Sequence, residues 1–214
     1  MTKIISKEEA CSLIKDGSRV MFGGFLACGS AISIIDLLAT QNVKNLTLIT
    51  NDTAFPDKGC GKLIVNKQVS KVIASHIGTN PETGKQMNNK EIDVTLMPQG
   101  SLAECIRAAG AGLGGILTPT GLGTIVEENK QIVKVKGKDY ILEEAIHGDI
   151  AVIYADYADK YGNLAYNGTT RNFNPLMAMA CDITIVEVKE MIDGSLDPNN
   201  IIVPSIFVDY IVKA

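Results

Sequence analysis

A chain of 214 residues with 46% apolar and 21% charged residues is long enough to bury a core without disulfide or metal staples, and a net charge of −4 leaves no basic surface of the kind that neutralises nucleic-acid phosphates. No run of about 18 strongly apolar residues predicts a membrane span, and the opening MTKIISKEEA has no apolar signal-peptide core, so a cytoplasmic protein is expected. Five cysteines, Cys11, Cys28, Cys60, Cys105 and Cys181, without a C-x-x-C pair and with only two histidines, His76 and His147, predict buried reduced thiols and no metal site.

In chain order, Ser6-x-x-Glu9 reads as a capping box that opens a short helix through Ala10, Leu13 and Ile14, stopped by Gly17. Arg19 to Phe22 is an apolar strand; Gly23-Gly24 follows, and Ser30 opens a helical pattern through Ile32, Ile34, Ile35, Leu37 and Leu38. Further strands are predicted at 46–49, 71–74, 94–97, 150–154 and 183–188, separated by ten or more residues. Such alternation builds an open, largely parallel sheet covered by helices. Between Gln131 and Leu142, two β-rich runs flank Gly137-Lys138 and predict a hairpin attached to that sheet. Without repeats or linkers, residues 1–214 read as one α/β domain.

The loop Gly23, Gly24, Phe25, Leu26, Ala27, Cys28, Gly29 is the sharpest local signal. It fails the G-x-G-x-x-G template, because the middle glycine is missing, and it fails G-x-x-x-x-G-K-[ST], because Ser30 stands where lysine must be. What survives is a glycine turn before a helix whose free N–H groups suit an anion; a tight turn without a ligand is equally consistent. Asn51-Asp52 and Gln99 each follow a strand, where open α/β sheets form their binding crevice, and their amides could donate to a carbonyl or carboxylate oxygen. Ser101-x-x-Glu104 reads as a second capping box, which assigns Glu104 a structural role rather than that of a base. Six glycines between 110 and 123 fit a segment lying against a ligand or a neighbouring subunit, or a buried apolar loop. Both histidines read as core or surface residues, since no G-x-S-x-G elbow accompanies them.

Six segments together resemble the A (alpha) subunit of the family I coenzyme A transferases. They are Asp16-Gly17 with Val20 to Phe25 and Gly29, Pro98-Gln99-Gly100-Ser101-Leu102-Ala103-Glu104, Thr118 to Gly121 with Gly123-Thr124, Leu142-Glu143-Glu144-Ala145, Gly162-Asn163-Leu164 and Arg171-Asn172-Phe173-Asn174. The resemblance runs from about Lys3 to Lys213. It departs at Ala31, where the family has proline, and at Asn51-Asp52, where it often has paired asparagines.

The resemblance implies a NagB/RpiA/CoA-transferase-like fold and a B subunit as partner, in an A2B2 assembly. It implies coenzyme A as a substrate, with no permanently bound cofactor, and a short-chain or 3-oxo acid as the other substrate. The nucleophilic glutamate of the family lies in an S-E-N-G-like motif of the B subunit, and this chain has no such motif. Gln99 and Asn51 would then hydrogen-bond the reacting oxygens, and the loop from Gly23 to Gly29 would hold CoA or position the partner. The alternatives are a noncatalytic sensing domain of the same fold that binds a phosphorylated small molecule, and a self-contained isomerase or deaminase.

Overall fold

The structure, a computed structural model, describes residues 2–214. In chain order the elements are β1 (Lys3–Ile4), α1 (Lys7–Leu13), β2 (Arg19–Phe22), α2 (Ile32–Thr40), β3 (Leu46–Thr50), α3 (Gly61–Val65), β4 (Val69–Ala74), α4 (Pro81–Asn88) and β5 (Asp93–Leu96). There follow α5 (Gln99–Gly110), β6 (Gly115–Thr118), β7 (Ile132–Val135), β8 (Lys138–Glu144), β9 (Gly148–Ala158), β10 (Leu164–Ala165), α6 (Asn174–Met177), β11 (Cys181–Met191) and β12 (Tyr210–Lys213).

The main sheet runs β1-β12-β11-β9-β2-β3-β4-β5, every pair parallel, with β10 antiparallel to β9. From β2 the chain winds outward through β3, β4 and β5, and the later strands fill the other side through β9. The order therefore reverses between β2 and β9, the place where open parallel sheets form a crevice beyond their strand ends. Side chains alternate across the sheet. Val20, Phe22, Leu46, Leu48, Val72, Ile150 and Val152 face the layer of α1, α2 and α3, and Met21, Ile49, Ile73, Ala151 and Ile153 face α5 and α6. Both faces are covered, so the strands read as continuous apolar runs. No helix among the described residues is long and apolar enough to cross a membrane.

The Ser6–Glu9 capping box is present, with Ser6 Oγ accepting from Glu9 N at 3.1 Å and Ser6 N donating to Glu9 Oε2 at 2.8 Å. Other expectations need correction. The Gln131–Leu142 hairpin exists, but it is no part of the main sheet: β7 and β8 join β6 in a separate antiparallel sheet ordered β6-β8-β7. The partner strand β6 lies in the glycine-dense segment, whose composition hid it. β9 extends four residues past Tyr154, because Asp156 interrupts the apolar run while being buried. α2 starts at Ile32, not Ser30; the Ser30 hydroxyl donates instead to the Gly23 carbonyl at 3.0 Å. Ser101–Glu104 is not a capping box. α5 already begins at Gln99, so Ser101 Oγ is buried without a partner and Glu104 is exposed, paired with Arg107 at 3.0 Å.

Candidate active site

Four consecutive parallel strands end on one edge of the sheet and deliver their following residues to one place: the loop 23–29 after β2, Asn51-Asp52 after β3, Ser75-His76 after β4 and Gln99 after β5. A cleft of about 250 Å³ opens there, walled by Phe25, Leu26, Asn51, Asp52, His76, Thr79 and Gln99. The sequence placed Gln99, Asn51 and the loop together, and the cleft joins all three.

Hydrogen bonds link the polar members into a chain. Gln99 Nε2 donates to Asn51 Oδ1 at 2.6 Å, Ser75 Oγ donates to the same oxygen at 3.0 Å, and Asn51 Nδ2 donates to Asp52 Oδ2 at 2.7 Å. Asp52 also accepts from Leu26 N at 3.0 Å and from Ala54 N at 2.8 Å. A carboxylate only accepts, so Asp52 obliges Asn51 to offer it the NH2 and to turn its carbonyl toward Gln99. That in turn fixes the Gln99 amide with its nitrogen on Asn51, one N–H and the carbonyl oxygen left over. Asn51 and Asp52 are buried, at 1% and 3% exposure, whereas Gln99 is exposed. The two expected amides therefore divide the work. Gln99 faces the cleft with unspent capacity, and Asn51 stands behind it with both carbonyl lone pairs in use. The departure at 52 also gains a reason: two backbone N–H groups converge on that side chain, and asparagine has one oxygen to offer them.

The loop is a two-residue hairpin turn. Phe25 and Cys28 exchange both backbone hydrogen bonds at 3.0 and 2.9 Å, and the central residues Leu26 and Ala27 have φ of 48° and 66°. A turn of this type prefers glycine or asparagine at both positions, and holding larger residues there costs about 1–3 kcal/mol each. Asp52 secures the turn through Leu26 N. On its other side, Gly24 N donates to Asn172 Oδ1 at 3.1 Å, Asn172 Nδ2 donates to Cys28 O at 3.0 Å, and Asn174 Nδ2 donates to Gly29 O at 2.9 Å.

The glycines serve this clamp. A Cβ at Gly23 would strike the Asn174 amide, and one at Gly24 would strike the Ser30 hydroxyl. Asn172 and Asn174 were legible only as part of a motif. Their role comes from contacts nearly 150 positions apart. Behind them, Asp156 accepts from Asn167 N at 2.8 Å, from Tyr154 OH at 3.1 Å and from the Thr170 hydroxyl. Burial, then the Asp156 charge, pushes the Tyr154 hydroxyl up to about 12.

The anion site expected at the start of α2 is filled from within. Glu187 of β11 accepts from Ser33 N at 3.2 Å, Ser33 Oγ at 2.8 Å and Ile34 N at 3.0 Å, so its own carboxylate takes the place a phosphate would take. The segment 111–124 is exposed or half-buried, not a buried loop. Three of the six glycines from 110 to 123 answer to close packing inside this chain: a Cβ at Gly110 would meet Met179, one at Gly115 the Glu143 carbonyl, and one at Gly121 the Val126 side chain. Four cysteines are buried or half-buried, and burial pushes the thiols of Cys11 and Cys105 up to about 11 and those of Cys60 and Cys181 up to about 12. Cys28 departs from expectation, lying exposed on the turn. His147 is a surface residue; His76, exposed as well, belongs to the cleft. Among the described residues no group of three or more histidine, cysteine, aspartate or glutamate side chains gathers as a metal would require.

The family model described as coenzyme A transferase matches residues 4–214. The chain is 50% identical over 212 residues to the acetate CoA-transferase subunit alpha of Escherichia coli strain K12, covering 99% of this chain and 96% of that protein. It is 49% identical over 213 residues to the acetoacetyl-CoA:acetate/butyrate CoA transferase alpha subunit of Clostridium acetobutylicum, covering 99% and 98%. Among solved structures it superposes on an acyl-CoA transferase from Escherichia coli O157:H7, a thioester complex with CoA, with a TM-score of 0.87 and 25% identity. All of this chain is covered but 47% of that one, so it spans about half the length of that enzyme. Glutaconate coenzyme A-transferase from Acidaminococcus fermentans shares the fold, with a TM-score of 0.85 at 18% identity, covering 100% and 76%.

Proposed function

The chain belongs to the coenzyme A transferase family, and on that premise we propose that it is the A subunit of a two-subunit enzyme moving CoA between a short-chain acyl-CoA and a free carboxylic acid. Its partner is a B subunit carrying the nucleophilic glutamate, in a cytoplasmic A2B2 assembly, and CoA enters as a substrate. The observation that carries this reading is the division of groups in the cleft. Gln99 offers a spare amide N–H, while the carboxylate among the lining residues, Asp52, is buried and accepts three hydrogen bonds. Asp52 is the one carboxylate among these lining residues, which fits a nucleophilic glutamate supplied, as in the family, by the B subunit.

In the proposed reaction the partner glutamate oxygen adds to the acyl thioester carbonyl, and the CoA thiolate leaves, forming a mixed anhydride. The thiolate then adds to the glutamyl carbonyl, and the donor acid leaves as its carboxylate. An acceptor carboxylate reverses both steps and carries CoA away. Each addition places negative charge on a carbonyl oxygen, where a pre-aimed N–H such as that of Gln99 stabilises the transition state more than the ground state. The turn from Phe25 to Cys28 stands at the mouth of the cleft with Phe25 45% exposed, as a surface for CoA or the partner requires. A cleft of about 250 Å³ suits a small acyl group.

Reconstitution tests the reading. The purified chain alone should transfer no CoA, and activity should appear on mixing with its B subunit. Turnover by this chain shown by mass spectrometry to be free of B subunit would overturn it.

A further inference from the structure

His76 is the one member of the cleft whose hydrogen-bonding capacity is wholly unspent. Asp52 accepts three hydrogen bonds, Asn51 is saturated on its oxygen, Thr79 Oγ1 donates to Ala54 O at 2.7 Å, and Gln99 has one N–H on Asn51. Phe25 and Leu26 offer only apolar surface. Among the described residues the His76 imidazole makes no hydrogen bond, although its backbone is firmly placed: Thr53 N donates to His76 O at 3.2 Å, and Asp52 and His76 extend the β3–β4 pairing by a bridge. The ring lies over Gly78, where an added Cβ would sit 3.0 Å from Cε1 and 3.2 Å from Nε2. Gly78 thus leaves the imidazole room to settle against the backbone, at the wall of a cleft whose other polar side chains are already engaged by neighbours.

We infer that His76 is a specificity-determining residue, donating an imidazole N–H to an oxygen that the acyl group carries beyond its reacting carboxyl. The inference rests on the transferase reading and deepens it: Gln99 serves the reacting carbonyl, His76 the remainder of the acyl chain. A plain aliphatic acid gives the imidazole nothing to replace its lost water, whereas a keto oxygen or a distal carboxylate does. Once a bound acyl group covers this exposed imidazole, a donor left unpaired discriminates against the analogue that lacks the acceptor.

The test compares kcat/KM of the assembled complex for butyrate, acetoacetate and succinate, in wild type, His76→Phe and His76→Gln. In His76→Phe the ratio of acetoacetate or of succinate to butyrate should fall about 10-fold, the loss expected for one hydrogen bond to the acyl group. His76→Gln, which keeps a donor, should restore part of it. Which of the two ratios falls identifies the keto oxygen or the distal carboxylate as the group recognised. Both ratios remaining within about twofold of wild type in His76→Phe would overturn the role of His76 while leaving the transferase reading intact. Transfer to none of the three acids by the wild-type complex would overturn that reading and this inference with it.

Discussion

Replacing Gln99 by alanine removes the amide that keeps a free N–H at the cleft, so turnover in the assembled complex should fall roughly 10- to 1000-fold with assembly unchanged. Glu104→Gln is the matched comparison: Glu104 is exposed and paired with Arg107 on α5, and such surface pairs contribute about 0–1 kcal/mol, so rate and melting temperature should barely move. A normal rate in Gln99→Ala, or a collapsed one in Glu104→Gln, would refute this assignment of roles. Asp52→Asn probes the amide chain from its far end. Two backbone N–H groups and the Asn51 NH2 converge on the carboxylate, and asparagine must leave one of them facing its own NH2. An unsatisfied buried donor costs about 1–3 kcal/mol, so the melting temperature should drop and kcat should drop with it as Asn51 loses its fixed orientation. A drop in stability with normal kcat would show that Gln99 is oriented without help from Asp52.

Among the elements, the turn and its clamp form one device. Gly24→Val places a β-branched side chain at φ 125° against the Ser30 hydroxyl, so it should weaken CoA-dependent turnover and lower the melting temperature together. Unchanged kinetics in a normally folded complex would remove the loop from the site. Another element-level device is the end of β9. Burial raises the Asp159 carboxyl, but donors from the Asn163 side chain and backbone, Leu196 N and Tyr161 N outweigh it, and the net shift is downward. A carboxyl depressed on folding contributes stability above its unfolded pKa and loses it as pH falls through the folded one. Asp159→Asn should therefore destabilise the chain at neutral pH, and the difference from wild type should shrink on acidification through the acid range. Parallel melting curves against pH would contradict this.

On the scale of the whole molecule, alternating apolar runs carried the parallel sheet and its helices, because strands covered on both faces write their burial directly into the sequence. Gln99, Asn51 and the glycine loop were legible as a group for a related reason: each follows a strand, and parallel strands deliver their ends to one edge. What remained hidden depended on long-range partners. Glu187 occupying the start of α2, Asp52 bracing the turn, Asn172 and Asn174 clamping the glycines, and β6 pairing with β8 all join residues that no local period connects. Ser101-x-x-Glu104 misled for the opposite reason, since a local pattern for a helix start was overridden by a helix already under way.

The central claim is that this chain supplies the hydrogen-bonding half of a site whose nucleophile belongs to another chain. The assembled complex, incubated with acyl-CoA and without acceptor acid, should hold CoA as a thioester on one of its chains. Intact-mass analysis of the separated subunits tests the claim most directly: the CoA adduct is predicted on the B subunit, with this chain at its unmodified mass, and a CoA adduct on this chain would contradict it.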